Sequence, residues 1–268
     1  MVQKVFSDQI GNFVSIPYPP RRIISLVPSQ SELLFDLGLD SEVMGITKFC
    51  VHPEKWIRLK PKVGGTKNFW LDVIDQIKPE LIIGNKEENY EEGIKKLQLK
   101  YPVWISDIVT FQDALDMIKT VAEMTGKETE GLSIISNIHS SFSQLLQPAH
   151  KQRALYLIWR NPWMGVGKQT FIHSMLEKAG FANVLVNHER YPELTDLDIK
   201  SLNPEVVFLS SEPFPFKEDH VTEMKHLAPK AQIKLVDGEM FSWYGSRLIK
   251  APGYFNKVWS SLQNEHQL

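Results

Sequence analysis

The sequence predicts an α/β protein made of two similar lobes with parallel-rich sheets, joined by one long rigid helix, with a ligand cleft between the lobes. Three observations predict it. Short β-branched or apolar runs alternate with helical patterns from end to end, as parallel strands with crossover helices require. The segment Ile74-Asp75-Gln76-Ile77-Lys78-Pro79-Glu80-Leu81-Ile82-Ile83 returns as Ile199-Lys200-Ser201-Leu202-Asn203-Pro204-Glu205-Val206-Val207-Phe208. Between the two copies the chain reads as helix, with no long flexible linker.

In the first lobe (residues 1–126), Arg22 to Val27 reads as a strand, and Glu32, Leu33, Leu34, Leu37 and Leu39 as a helix ending near Gly38. In each copy of the repeated segment a short helix stops before a Pro-Glu turn, because the residue before proline resists the α region, and a buried strand follows. Leu81 to Gly84 and Val103 to Ser106 are further strands. Thr110-Phe111-Gln112-Asp113 resembles a capping box, opening a helix that runs to Gly126. Residues 127–147 form the connector. Leu132, Ile135, Ile138, Phe142 and Leu145 line one face until Pro148, and about twenty residues make a rod of roughly 30 Å. In the second lobe (residues 148–268) the strands are Ala154 to Ile158, Val206 to Leu209 and Ile233 to Val236, with a helix over Ser174 to Gly180. Arg22 to Val27 pairs in style with Ala154 to Ile158, and Val103 to Asp107 with Ile233 to Asp237. Three matches in one order favour two related lobes over one large sheet.

The composition suits such a protein. Of 268 residues 43% are hydrophobic and 23% charged, and 30 Lys and Arg against 32 Asp and Glu give a net charge of -2, which argues against a phosphate-tracking or polybasic surface. The lone Cys50 excludes an intramolecular disulfide. Met1 to Asp8 contains no apolar signal core, so the chain as written reads as cytoplasmic, or as periplasmic or otherwise extracytoplasmic if Met1 stands where a signal was removed. No run approaches the roughly eighteen apolar residues of a membrane helix.

Ligands of open parallel sheets sit beyond the carboxyl ends of the strands. The loops there are rich in aromatics, which suits a large planar ligand, although about half of these rings are expected to pack against their own lobe. Trp159, Trp163, Trp243 and Tyr244 have Asn, Pro, Gly and Ser neighbours, whose turns would present them outward. Cys50 and His52, two apart in one loop, could face His188 and Glu189 across the cleft and hold a metal; a buried thiol and a hydrogen-bonded histidine are the commoner outcome of such spacing. Catalytic motifs find little support. In Gly165-Val166-Gly167-Lys168-Gln169-Thr170, Pro162 occupies the first glycine position of a phosphate loop and Gln169 the Ser/Thr position, so it reads as a turn after a strand.

The run Arg21-Arg22-Ile23-Ile24-Ser25-Leu26-Val27-Pro28-Ser29-Gln30-Ser31-Glu32-Leu33-Leu34-Phe35-Asp36-Leu37-Gly38 resembles the opening of the substrate-binding proteins of iron-siderophore and vitamin B12 ABC importers, the helical-backbone metal receptors. Val43 to Thr47, Val63-Gly64-Gly65 and Ile77 to Ile83 extend the resemblance. It implies non-catalytic capture of a metal chelate, a cobalamin or ferric siderophore or heme, by a monomer that needs no cofactor. It implies Trp70, Trp159, Trp243 and Tyr244 as walls, Trp163 in the same loop as Trp159, and Lys67 and Arg247 neutralising ligand carboxylates; the small net charge leaves room for a locally basic cleft formed by Lys48, Lys67, Arg160 and Arg247. It also implies a permease partner docked through one acid on each lobe. The matching positions are Asp72 and Ser242, the second not an acid, which suits a cytoplasmic carrier derived from importer components. A direct metal-ion receptor or a metal-dependent enzyme on this scaffold, using Cys50, His52, His188 and Glu189, is the alternative.

Overall fold

The apolar runs pair as parallel strands in two separate sheets. The structure, a computed structural model, describes residues 2–265; Met1, on which the compartment reading turns, lies outside them. Two compact units emerge: the chain up to Ile108 with Gln112–His139 and Tyr244–Arg247, and Val109–Phe111 with Ser140–Trp243 and the chain from Leu248. The units are less contiguous than residues 1–126 and 148–268.

The first unit opens with an antiparallel hairpin, β1 (Val2–Ser7) and β2 (Phe13–Tyr18), where Val14 and Ile16 alternate inward. There follow β3 (Ile23–Ser25), α1 (Pro28–Asp36), β4 (Val43–Ile46), α2 (Glu54–Leu59), the small hairpin β5 (Gly64–Gly65) and β6 (Asn68–Phe69), α3 (Leu71–Ile77), β7 (Leu81–Asn85), α4 (Glu91–Gln98), β8 (Val103–Ser106), α5 (Phe111–Thr125) and α6 (Glu128–Phe142). Strands β4-β3-β7-β8 form an all-parallel sheet. Its strands β3, β7 and β8 are buried on both faces and therefore read as continuous apolar runs such as Leu81-Ile82-Ile83. The strand expected over residues 22–27 is shorter because Pro28, suited to a first helical turn, starts α1 directly after Val27.

The second unit contains β9 (Arg153–Trp159), β10 (Trp163–Gly165), α7 (Phe171–Lys178), β11 (Ala182–Asn183), β12 (Glu193–Leu194), α8 (Asp196–Leu202), β13 (Val206–Ser210), α9 (Glu218–Leu227), β14 (Gln232–Val236), α10 (Glu239–Ser242) and α11 (Ala251–Glu265). Its sheet runs β12-β10-β9-β13-β14, with β11 beside β9. Strand β9 is parallel to β11 and β13, and β13 to β14, while β10 returns antiparallel to β9.

The repeated segment is also a repeat of hydrogen bonds. Helix α3 ends on Lys78 at φ 52° and α8 on Asn203 at φ 43°, both left-handed, and a Pro-Glu step follows each. The Glu80 amide donates to the Arg22 carbonyl (2.7 Å) and the Glu205 amide to that of Arg153 (2.8 Å). Both arginines cap the preceding helix: Arg22 Nε donates to the Lys78 carbonyl (2.8 Å) and Arg153 Nη2 to that of Leu202 (2.6 Å). The two carboxylates in turn accept from the Arg21 and Arg153 amides.

Helix α6 stops at Phe142, short of the rod expected over residues 127–147. Its 15 residues give roughly 22 Å. The Ser143 hydroxyl donates to the Ser140 carbonyl (2.7 Å), the local competition that disfavours continued helix. At its other end Gly131 lets α6 approach α5, since a Cβ there would lie 2.3 Å from Ala122 Cβ. Residues up to His139 belong to the first unit and those from Ser140 to the second, so the chain passes between units within this helix.

Candidate functional site

In the second unit three parallel strands end together, with Leu209 level with Leu157 and Ser210 level with Val236. Trp159 closes β9, is 40% exposed, and meets the Phe214 ring edge-on at 5.6 Å. Phe214 is backed edge-on by Phe216 (4.9 Å) and His220 (5.2 Å), so the exposed indole rests on a cluster of edge-to-face rings. In the loop after β13, Glu212 Oε1 accepts from Ser242 Oγ (2.6 Å) and Trp243 Nε1 (3.0 Å), tying that loop to α10. Burial, reinforced by the Glu239 and Asp237 carboxylates, pushes the Glu212 carboxyl above its usual range against the pull of those hydrogen bonds. Ser210 Oγ bonds the Glu212 carbonyl (2.6 Å), Ser211 Oγ accepts the Gly238 amide (2.9 Å) and the Tyr254 hydroxyl accepts the Asp237 amide (2.7 Å). A depression of about 320 Å³ lined by Leu209, Ser211, Phe216, Leu235, Val236 and Asp237 lies at this edge. Another, of about 280 Å³ and including Asn203, Pro204, Pro229 and Lys230, lies at the opposite ends of β13 and β14.

In the first unit the corresponding strand ends are locked by buried amides and hydroxyls. Gln30 Nε2 donates to Ser106 Oγ (2.7 Å), Asn85 Nδ2 to the same oxygen (3.0 Å), and Asn89 Nδ2 to the carbonyls of Leu26 and Thr66 (3.1 Å each). The β5–β6 hairpin rises beside them. Gly64 is left-handed at φ 106°, and a Cβ there would meet the Asn68 carbonyl oxygen at 2.3 Å. This hairpin carries exposed Lys67, whose Nζ donates to the Glu87 carbonyl (2.6 Å), and leads to Trp70, 46% exposed. Phe49, also exposed, packs near Gly65, with Lys48 Nζ 5.1 Å from its ring.

Of the aromatic residues expected to face a ligand, Trp70 and Trp159 are exposed and the other three are buried. Trp163 is 2% exposed: its indole donates to Asp196 (3.1 Å), lies parallel to Phe216 and carries the Arg160 guanidinium at 4.1 Å. Trp243 and Tyr244 are buried, which corrects the expectation that their polar neighbours present them outward; the Glu212 acceptor draws the Trp243 indole in. Arg247 is buried as well, its Nε and Nη2 held by Glu32 Oε2 and Oε1 at 2.8 and 2.7 Å, so it is not presented to ligand carboxylates. Arg160 is likewise gripped, by Glu223 at 3.1 and 2.5 Å.

The metal set is not assembled. Among the described residues no three His, Cys, Asp or Glu side chains are placed to hold an ion. Cys50 is buried between the hydroxyls of Ser31 (3.2 Å) and Thr47 (3.4 Å), and burial pushes its thiol up, away from the thiolate that a metal needs. His52 is half-buried. His188 and Glu189 are exposed; the Lys168 amide donates to the His188 carbonyl (2.7 Å) and Lys168 Nζ lies 3.6 Å from Glu189 Oε1. Asp72 is exposed in the first turn of α3; Ser242 is half-buried against Glu212.

Glu212, Glu223 and Glu32 were not singled out by the sequence. Ser210-Ser211-Glu212-Pro213 directly after a predicted strand is a signal for the first. An acid in an exposed helix or among leucines carries no sign of the arginine it will meet.

The periplasmic binding protein family model matches residues 23–233. An uncharacterized ABC transporter substrate-binding lipoprotein of Bacillus subtilis (strain 168) is 23% identical over 75% of this chain and 67% of its own. A vitamin B12-binding protein of Vibrio parahaemolyticus (serotype O3:K6, strain RIMD 2210633) is 23% identical over 72% of this chain and 71% of its own. The siderophore binding protein BauB, solved bound to a complex of two acinetobactin molecules and ferric iron, superposes with a TM-score of 0.79, covering 96% of this chain and 98% of that one at 16% identity, a likeness of fold.

Proposed function

The chain belongs to the periplasmic binding protein family, and on that premise we propose that it captures a metal chelate without chemical change, as the substrate-binding component of an ABC importer or a protein derived from one. The chelate is a corrinoid, a ferric siderophore or heme. The observation that carries this reading is Trp159, exposed and braced edge-on by Phe214 where three strands end. A ring fixed in this way offers a large flat contact at little entropic cost, which suits a macrocycle or aryl chelate. Trp70 supplies the same surface on the first unit. Asp72 is the docking acid for a permease, and capture takes place outside the cytoplasmic membrane, where the named relatives include a lipoprotein. Among the described residues no helix is long and apolar enough to cross a membrane.

The test is a thermal-shift and absorbance screen of the purified chain with cyanocobalamin, hemin and ferric siderophores. A ligand at about a hundred times its Kd stabilises by roughly 2.7 kcal/mol, which is about 5–10 °C in Tm for a chain of this size. No shift with any chelate, and no change in any chelate's spectrum, sinks the reading.

A further inference from the structure

The repeated segment allows the two units to be compared position by position, and at one groove they differ in charge. Ile82 of β7 pairs with Val103 of β8, and Val207 of β13, its match in the repeat, pairs with Ile233 of β14. Lys230 and Ala231 therefore hold in the second unit the places of Lys100 and Tyr101 in the first, and Lys200 on α8 holds that of Asp75 on α3. In the first unit these side chains close on one another: Lys100 Nζ lies 2.8 Å from Asp75 Oδ2, and the Tyr101 hydroxyl donates to Asp75 Oδ1 (2.6 Å). In the second unit a lysine stands for the acid and an alanine for the tyrosine. The ion pair gives way to two like charges, and the phenol to a methyl group. The depression of about 280 Å³ lies here, lined by residues that include Lys200, Asn203, His226, Pro229, Lys230 and Ala231. Among the described residues that line it none is Asp or Glu. The end of α8 does not itself call for a cation, since α3 carries an acid at the same place. Two ammonium groups at one groove repel each other, and an anion between them removes that cost.

We infer that this groove of the second unit binds the phosphate group of a phosphomonoester between Lys200 and Lys230. Lysines act on phosphate as point charges, whereas a planar carboxylate is better matched by a guanidinium fork, and no arginine lines the groove. The Asn203 carboxamide adds a neutral donor, and Pro229 and Ala231 give apolar wall to the ester's carbon skeleton. A soluble phosphomonoester and a phosphatidic acid headgroup offer the same chemistry. The site lies at the ends of β13 and β14 opposite the Trp159 edge, so it stands or falls apart from chelate capture.

The experiment is calorimetric titration of the full chain at low ionic strength with inorganic phosphate and glycerol phosphate, beside co-sedimentation with phosphatidylcholine vesicles with and without phosphatidic acid. A Kd of about 1 mM or tighter is expected. Lys200→Gln and Lys230→Gln should each weaken binding about fivefold. Lys96→Gln, the same loss of charge on α4 of the first unit, should leave it within about twofold. Lys200→Asp with Ala231→Tyr, which reproduces the Asp75, Lys100 and Tyr101 arrangement, should abolish binding. Thermal unfolding reports that each variant is folded. Binding of the soluble phosphates without the vesicles assigns the groove to a free phosphomonoester; sedimentation that needs phosphatidic acid and is lost in Lys230→Gln assigns it to a headgroup, and either result supports the inference. No binding of any probe, a Kd unmoved by both Lys200→Gln and Lys230→Gln, or an equal loss in Lys96→Gln overturns it.

Discussion

Arg247 and Glu32, 215 residues apart in sequence, form a two-bond ion pair at 2.8 and 2.7 Å in which both side chains are buried. The pair holds Tyr244–Arg247 in the first unit, far along the chain from the rest of it. Removing one partner leaves an uncompensated buried charge, a loss of roughly 3–5 kcal/mol, whereas replacing both with apolar side chains of similar volume is often neutral. Arg247→Met is therefore expected to lower Tm by about 6–20 °C, and Arg247→Met with Glu32→Leu to recover most of it. Thermal unfolding of the three proteins checks this; a single variant as stable as the parent would show that the pair is dispensable.

The exposed indole at the end of β9 should dominate affinity at this edge. Trp159→Ala removes the contact face, while Phe214→Ala removes only its brace. Truncating a central aromatic anchor costs about 2 kcal/mol or more, roughly thirtyfold in Kd. A smaller loss is expected for Phe214→Ala, and titration of the chelate found in the screen separates the two. Equal affinities in parent and Trp159→Ala would remove the stacking role.

Much of this architecture is legible in the sequence, because burial on both faces of a parallel strand leaves a continuous apolar run such as Leu81-Ile82-Ile83 or Val206-Val207-Phe208. The Pro-Glu repeat is also local and marks both left-handed helix ends. Exposure of side chains is less legible. Trp243 sits among polar neighbours that suggest a surface turn, and is buried by Glu212, 31 residues earlier. Arg247 looks like a ligand cation until Glu32 meets it. Such partners are fixed by tertiary packing, which spacing along the chain does not encode.

The β5–β6 hairpin depends on one backbone conformation. Gly64 is left-handed, and any Cβ would press on the backbone oxygen of Asn68, which has no flexible end to yield. Gly64→Ala should therefore cost at least the roughly 1–2 kcal/mol of a left-handed L-residue and displace Lys67 and Trp70 from their positions. Lower Tm together with weaker chelate binding is expected; loss of stability with unchanged Kd would show that the hairpin does not contact ligand.

Glu212 should give the protein a measurable pH signature. Its carboxyl has an ordinary value of 4.5 and is raised in the folded chain, first by burial and then by Glu239 and Asp237. Between the ordinary and the raised value the folded state holds more protons than the unfolded state, so this group's contribution to stability is present at low pH and declines as pH rises through the window. Glu212→Gln abolishes the titration yet keeps an oxygen to accept from Ser242 and Trp243. The Tm difference, variant minus parent, should therefore be more positive at about pH 7.5 than at about pH 4. Thermal unfolding across that range decides it. A difference independent of pH would place the carboxyl at its ordinary value, and a difference more positive at low pH would mean that the donors from Ser242 and Trp243 outweigh burial.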